Sequence, residues 1–240
     1  MVNGIALVVF DLAGTTVEDS GGVLDCFAAS MEAAGLRADR EALNASMGQS
    51  KLTVLRELAM RQRGEGAQAE ALAQTAFEHF RTCMADVYRG GGARPMRGAE
   101  TLFAELREQG VRVALNTGFD GHVTDALLTA LGWHARVDTV VCVDDVPHGR
   151  PAPTMIHLAM QRTAVHAVHE VAVVGDTPAD LQAGANSGAA LVVGVESGTH
   201  TAASLRRHPM THLIAGVWEL SALLRRVARL PRDRRRAGAT

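Results

Sequence analysis

The chain has 240 residues, enough for one large domain or two small ones around a substantial core. Apolar residues make up 47% and charged residues 21%, as in an ordinary globular protein, and no stretch approaches the ~20 apolar residues of a membrane span. The net charge of −2 is uneven: seven Arg against one Asp between Arg225 and Arg236 leave 17 basic and 25 acidic residues elsewhere, a net of −8.

The basic segment reads as a solvated tail over 225–240. It carries no aromatic interleaving, so neither nucleic acid nor membrane is expected as a partner. Of the 24 basic side chains, 23 are Arg and one is Lys51. A general Arg-for-Lys bias explains the 23 and leaves the survivor unexplained. Only Lys readily becomes a neutral, nucleophilic amine. Cys26, Cys83 and Cys142 are widely spaced, odd in number and without a CxxC pair. That spacing argues against a disulfide framework or a zinc site and for a reducing cytoplasm.

In chain order, residues 5–10 (IALVVF) form an apolar, β-branched run that an Asp closes, which reads as a buried parallel strand and not a signal peptide. From about 20 to 90 no strand pattern is convincing. Leu24, Phe27, Ala28, Met31 and Ala34 fall at helical spacing, as do Leu52, Leu55, Leu58 and Ala59, and residues 68–88 make a third helical pattern. Arg63-Gly64-Glu65-Gly66 is a break, and Gly90-Gly91-Gly92 is a hinge-like exit. Further strands are predicted at 111–116, 138–143, 170–175 and 190–195, with helices at 98–109, 121–131, 152–163 and 178–187. Alternation of this kind predicts an α/β fold: a parallel sheet with helices on both faces, interrupted by a small helical insertion. The boundaries are 1–19 and 93–224 for the α/β part and 20–92 for the insertion.

Ligands of open α/β sheets bind beyond the carboxyl ends of the strands. Four polar clusters fall there: Asp11-Leu12-Ala13-Gly14-Thr15-Thr16, Asn116-Thr117-Gly118, Gly149-Arg150-Pro151, and Gly175-Asp176-Thr177-Pro178-Ala179-Asp180. Hard carboxylate oxygens such as those of Asp11 and Asp176 suit Mg²⁺. Thr117, nearby backbone N–H groups and Arg150 suit phosphoryl oxygens. A carboxylate in such a site can also form an aspartyl-phosphate. His122, His134, His148, His157, His166 and His169 are scattered with no metal-ligand spacing, and His148 directly precedes the Gly149-Arg150-Pro151 cluster. Glu18 and Asp19 read as capping or hinge residues at the entry to the insertion.

In order and content these clusters resemble the four motifs of the haloacid dehalogenase superfamily, over about residues 5–200. The resemblance implies a Rossmann-like core with an all-helical cap at 20–92. It implies Asp11 as nucleophile and Mg²⁺ held by Asp11, the carbonyl of Ala13 and Asp176, with Asp180 supporting the metal shell. Thr117, with Gly118, and Arg150 would bind the phosphoryl group. Phosphatases of the superfamily usually carry a second Asp two residues after the nucleophile, as general acid; here that residue is Ala13. Asp-x-Ala-Gly-Thr resembles the phosphonatase branch, the phosphonoacetaldehyde hydrolases, whose cap carries Met-Gly-x-x-Lys. Residues 47–51 read Met47-Gly48-Gln49-Ser50-Lys51, and this lysine is the only one in the chain.

The branch resemblance implies C–P cleavage through a Lys51 Schiff base, Met47 lining the substrate pocket, a homodimer through cap helices, and a partner transaminase that makes the aldehyde. Two positions depart from the branch: Val54 stands where a His follows the lysine, and Phe119 where a Tyr follows Thr117. The alternative is a phosphomonoesterase acting on a small ester such as phosphoglycolate, with Lys51 binding the substrate anion.

Overall fold

In a computed structural model that describes residues 4–229, the apolar runs become strands β1 (Leu7–Phe10), β2 (Arg112–Asn116), β3 (Thr139–Val141), β4 (Val171–Gly175) and β5 (Leu191–Val195). A sixth, β6 (His212–Ile214), was not foreseen: it is a three-residue, half-buried edge strand with no apolar run to announce it. All neighbours pair in parallel, in the order β3-β2-β1-β4-β5-β6. Strand order reverses at β1, where Val9 pairs with Ala114 on one side and Val173 on the other. The residues just beyond β1 and β4 therefore flank the crevice where open α/β sheets bind their ligands.

Between β1 and β2 the chain forms α1 (Gly22–Ala33), α2 (Arg40–Ala45), α3 (Lys51–Arg63), α4 (Ala67–Val87) and α5 (Ala99–Glu108). The rest of the described chain adds α6 (Gly121–Leu131), α7 (Thr154–Arg162), α8 (Pro178–Ser187), α9 (Ala202–Leu205) and α10 (Leu220–Arg229). The two faces of β1 enter different cores, as the two-residue period of a strand requires. Val8 and Phe10 pack with Phe103 of α5 and Leu127 of α6, whereas Leu7 and Val9 pack with Met155, Ile156 and Ala159 of α7.

Helices α1 to α4 form the insertion. Buried Ala69, Ala73, Ala76, Phe80 and Met84 make one stripe along α4, against which α1 and α3 pack. The entering and leaving segments run side by side, antiparallel, with Val17 bridged to Pro95. Glu18 N–H donates to the Arg94 carbonyl at 2.9 Å, and Met96 N–H donates to the Thr16 carbonyl at 2.8 Å. The short helix α2 escaped the periodicity, since six residues hold too little pattern.

Two sequence expectations need correction. Cys26 of α1 and Cys83 of α4 form a disulfide, with Cα atoms 5.8 Å apart. The cysteines are distant along the chain but adjacent in space, because α1 lies against α4. Their spacing therefore carries no information about compartment. The basic tail was expected to begin at 225, but α10 runs to Arg229 and buries Leu220, Leu223 and Leu224. Residues 230–240 lie outside the described residues. Among the described residues, no helix is long and apolar enough to cross a membrane.

Candidate active site

Asp11 follows β1 and is held by the sheet itself: its N–H donates to the Val174 carbonyl of β4 at 2.9 Å. The turn beyond it is closed by Thr16, whose hydroxyl donates to the Asp11 carbonyl at 2.8 Å. Thr15 Oγ1 donates to Asp176 Oδ1 at 2.9 Å, tying the loop after β1 to the loop after β4. Thr177 caps α8. Its hydroxyl and N–H donate to Asp180 Oδ2 at 2.6 and 3.1 Å, a reciprocal capping box readable in Thr177-Pro178-Ala179-Asp180. Thr117 follows β2. Its N–H donates to the Val141 carbonyl at 3.1 Å, and its Oγ1 accepts the Phe119 N–H at 3.1 Å.

Arg150 is buried among these acids. Its Nη1 lies 2.7 Å from Asp11 Oδ1 and also contacts Asp180 Oδ1. Its Nε is buried with no hydrogen-bond partner among the described residues. Carboxylate oxygens of Asp11, Asp176 and Asp180 lie within 4.8 Å of one another, and all three residues are buried. One guanidinium cannot balance three carboxylates. Burial, opposed by Arg150, raises the Asp11 carboxyl above its ordinary range. Burial, reinforced by Asp11, lifts Asp176 to about 7. Such an excess of buried anionic oxygen fits a hard divalent cation, and the trio is a candidate metal site.

The insertion supplies the other wall. Gly48 adopts φ +80°, and a Cβ there would lie 2.3 Å from Thr177 Oγ1; one on Gly118 would lie 2.7 Å from the Gln49 carbonyl. Only glycine at both positions lets the 47–49 turn rest on the core loops. Lys51 opens α3, directly after the cap residue Ser50. It is 3% exposed, and its Nζ lies 5.2 Å from the Phe27 ring centroid. Burial, then the charge of Arg150, lowers its pKa to about 8, against the pull of Asp11 and Asp19. The first turn of a helix further disfavours an ammonium.

Asp11, Ala13, Met47, Lys51, Thr117, Gly118 and Arg150 line one cavity with about 30 Å³ accessible to water. Asp176 and Asp180 stand beside Asp11 in the acidic trio. Thus the residues expected to serve as nucleophile, amine, substrate binders and metal ligands lie together, nine in all. His148 is exposed and does not line the cavity. Sequence reasoning missed Val23, Gln49 and Thr177 in the cavity wall, and the support of Thr15 for Asp176. Of these, only Thr177 had a readable signal, its capping box. Asp19 caps the start of α1, accepting N–H groups of Gly21 at 3.0 Å and Val23 at 3.5 Å.

A parallel sheet with acidic loops at its reversal point, covered by a helical insertion, defines a class. Residues 5–188 match the haloacid dehalogenase-like hydrolases, and the chain belongs to that family. More narrowly, it is similar to phosphonoacetaldehyde hydrolases. It is 30% identical to that of Bacillus cereus and 31% to that of Bacillus cytotoxicus, each over 195 residues, covering 77% of this chain and 73% of the relative. Among solved structures, a phosphonoacetaldehyde hydrolase-like protein from Oleispira antarctica superposes with a TM-score of 0.79 at 20% identity. The match covers 95% of this chain and 94% of that one.

Proposed function

We propose that this hydrolase cleaves the C–P bond of a small aldehyde phosphonate, phosphonoacetaldehyde, to acetaldehyde and phosphate. The observation that carries the reading is Lys51: a buried amine with its pKa lowered to about 8, facing the same cavity as Asp11 and Arg150. Residues 20–92 act as the cap over a core of 1–19 and 93–224. The similarity to phosphonoacetaldehyde hydrolases supports the same reading.

A carbanion is a very poor leaving group, and Ala13 offers no proton to help any leaving group depart. Lys51 solves this covalently. Its neutral Nζ adds to the aldehyde carbon, water is lost, and an iminium forms. Asp11 attacks phosphorus in line. The C–P electron pair flows into the iminium, leaving an enamine on Lys51 and a phosphoryl group on Asp11. Water hydrolyses the aspartyl-phosphate. The enamine is protonated at carbon, and hydrolysis of the imine releases acetaldehyde and restores the amine. Thr117, the Gly118 backbone and Arg150, with its unpartnered Nε, hold the phosphoryl oxygens. Met47 and Phe119 present an apolar wall to the aldehyde end, which favours the neutral amine by desolvation. Mg²⁺, held by Asp11, the Ala13 carbonyl and Asp176 with Asp180 behind them, would offset the phosphoryl charge. With this reading goes a homodimer, checked by light scattering.

The test is borohydride reduction in the presence of phosphonoacetaldehyde. An adduct is expected on the one lysine-bearing peptide and is absent from Lys51→Arg, which keeps charge but loses amine chemistry. No adduct from an enzyme that turns over p-nitrophenyl phosphate well would sink C–P cleavage. It would leave a phosphomonoesterase acting on an ester such as phosphoglycolate.

A further inference from the structure

Away from the 47–49 turn, the insertion and the core also meet through two consecutive residues from each side. Phe80 of α4 lies against Phe119, with ring centroids 6.2 Å apart. The next residue, Arg81, places its buried Nε 2.6 Å from Asp120 Oδ2, an ion pair by distance in which the N–H is not aimed along a hydrogen bond, and the Asp120 side chain is 8% exposed. Arg81 is pinned for this contact. Its Nη1 donates to both Glu78 carboxylate oxygens at 3.0 Å, and its guanidinium lies 5.8 Å from the Phe77 ring centroid. Asp120 is pinned too, since its Oδ1 accepts the Val123 N–H at 2.9 Å as the N-cap of α6. Asp120 also follows directly on the 117–119 loop of the cavity.

On the insertion side, rigid links continue to the amine. Cys83 lies two residues beyond Arg81 and is bonded to Cys26. Phe27 follows Cys26, and its ring faces Lys51 Nζ at 5.2 Å. A displacement of α4 from α6 would therefore move α1 with it, and with α1 the wall behind Lys51. The pair is partly desolvated and lies between two packed helices, so solvent screens it less than a surface salt bridge.

We infer that Arg81 is a positioning residue: by pairing with Asp120 it docks the helical insertion on the core and holds the Lys51 amine inside the cavity. This deepens the proposed function, and only its turnover arm rests on that reading.

Because Lys51 is the only lysine, its exposure can be read directly in the full-length protein. The probe is the amine reagent trinitrobenzenesulfonate, with labelling followed on the Lys51 peptide. Arg81→Gln and Asp120→Asn should each speed Lys51 labelling about tenfold, and the double variant no further, as for two partners of one interaction. Asn is as good an N-cap as Asp, so Asp120→Asn leaves α6 capped. Arg81→Lys, which keeps the charge, should recover most of the protection. C–P cleavage should fall about tenfold relative to hydrolysis of p-nitrophenyl phosphate in the two uncharged variants.

Buried Cys142, whose thiol burial pushes up to about 11, reports on the core through a thiol reagent. The inference is overturned if Lys51 labelling is unchanged. It is equally overturned if the two single effects multiply in the double variant, or if Cys142 becomes reactive in step with Lys51. Failure of borohydride trapping in the unmodified enzyme would remove the proposed function while the labelling still decides the role of Arg81.

Discussion

Asp11, Thr117 and Asp176 stand just beyond three adjacent parallel strands, Asp11 and Thr117 fixed by backbone hydrogen bonds to the neighbouring strands and Asp176 by the Thr15 hydroxyl and the Thr199 N–H. Lys51 stands on a helix of the insertion. Its place depends on side-chain packing, one disulfide, two close-approach glycines and the Arg81–Asp120 pair. The difference separates two tasks. The sheet holds concentrated negative charge that must not move. The insertion brings in an amine whose usefulness depends on being kept dry.

The comparison is broken most severely from the sheet side. Asp11→Asn should abolish turnover of phosphonates and esters alike, by at least about 10³-fold, because both pass through the same phosphoryl acceptor. Steady-state rates check this. A variant that retained ester hydrolysis would show that Asp11 is not the acceptor. From the insertion side, Cys26→Ser with Cys83→Ser should cost about 4 kcal/mol by the loop-entropy rule for residues 57 apart. Thermal or denaturant melts read it. A loss under about 1 kcal/mol would mean that packing alone holds α1 to α4.

The third effect is smaller and its sign depends on pH. The folded pKa of Lys51 is depressed, so the unfolded chain binds more protons between about pH 8 and its ordinary value near 10.5. Below pH 8 the buried ammonium costs the folded state about 3 kcal/mol, and the cost vanishes as pH rises through that window. Lys51→Met should therefore stabilise the protein below pH 8 and bring no gain above about pH 10.5, while abolishing imine formation. Denaturation at pH 7 and pH 10.5 tests this. Equal effects at the two pH values would show that Lys51 does not carry a buried charge.

How much of this was legible depended on whether a feature is local. The strands over 7–10 and 171–175 announced themselves as β-branched apolar runs, and the acidic loops followed at their ends. The insertion was visible as an absence of strand pattern over 20–90, and its break at Gly64 and Gly66 was visible too. His212–Ile214 was invisible because an edge strand of three half-buried residues needs no apolar signature. The Cys26–Cys83 bond and the Arg81–Asp120 pair were equally hidden. Each joins segments far apart in the chain, and nothing in either segment names its partner. Lys51 was the exception. A composition that had lost every other lysine made the proposed amine conspicuous.

The side-by-side segments at Thr16–Glu18 and Arg94–Met96 have one more consequence. They bring the two ends of the insertion to ladder distance, so the sheet feels the intervening helices only as a closed excursion from a single point. The entropy of closing such an excursion grows with the logarithm of its length. This makes it an attachment point at which one set of helices can be exchanged for another of different size, with β1 and β2 left in register. The acidic crevice can stay fixed while the chemistry brought to it is replaced wholesale.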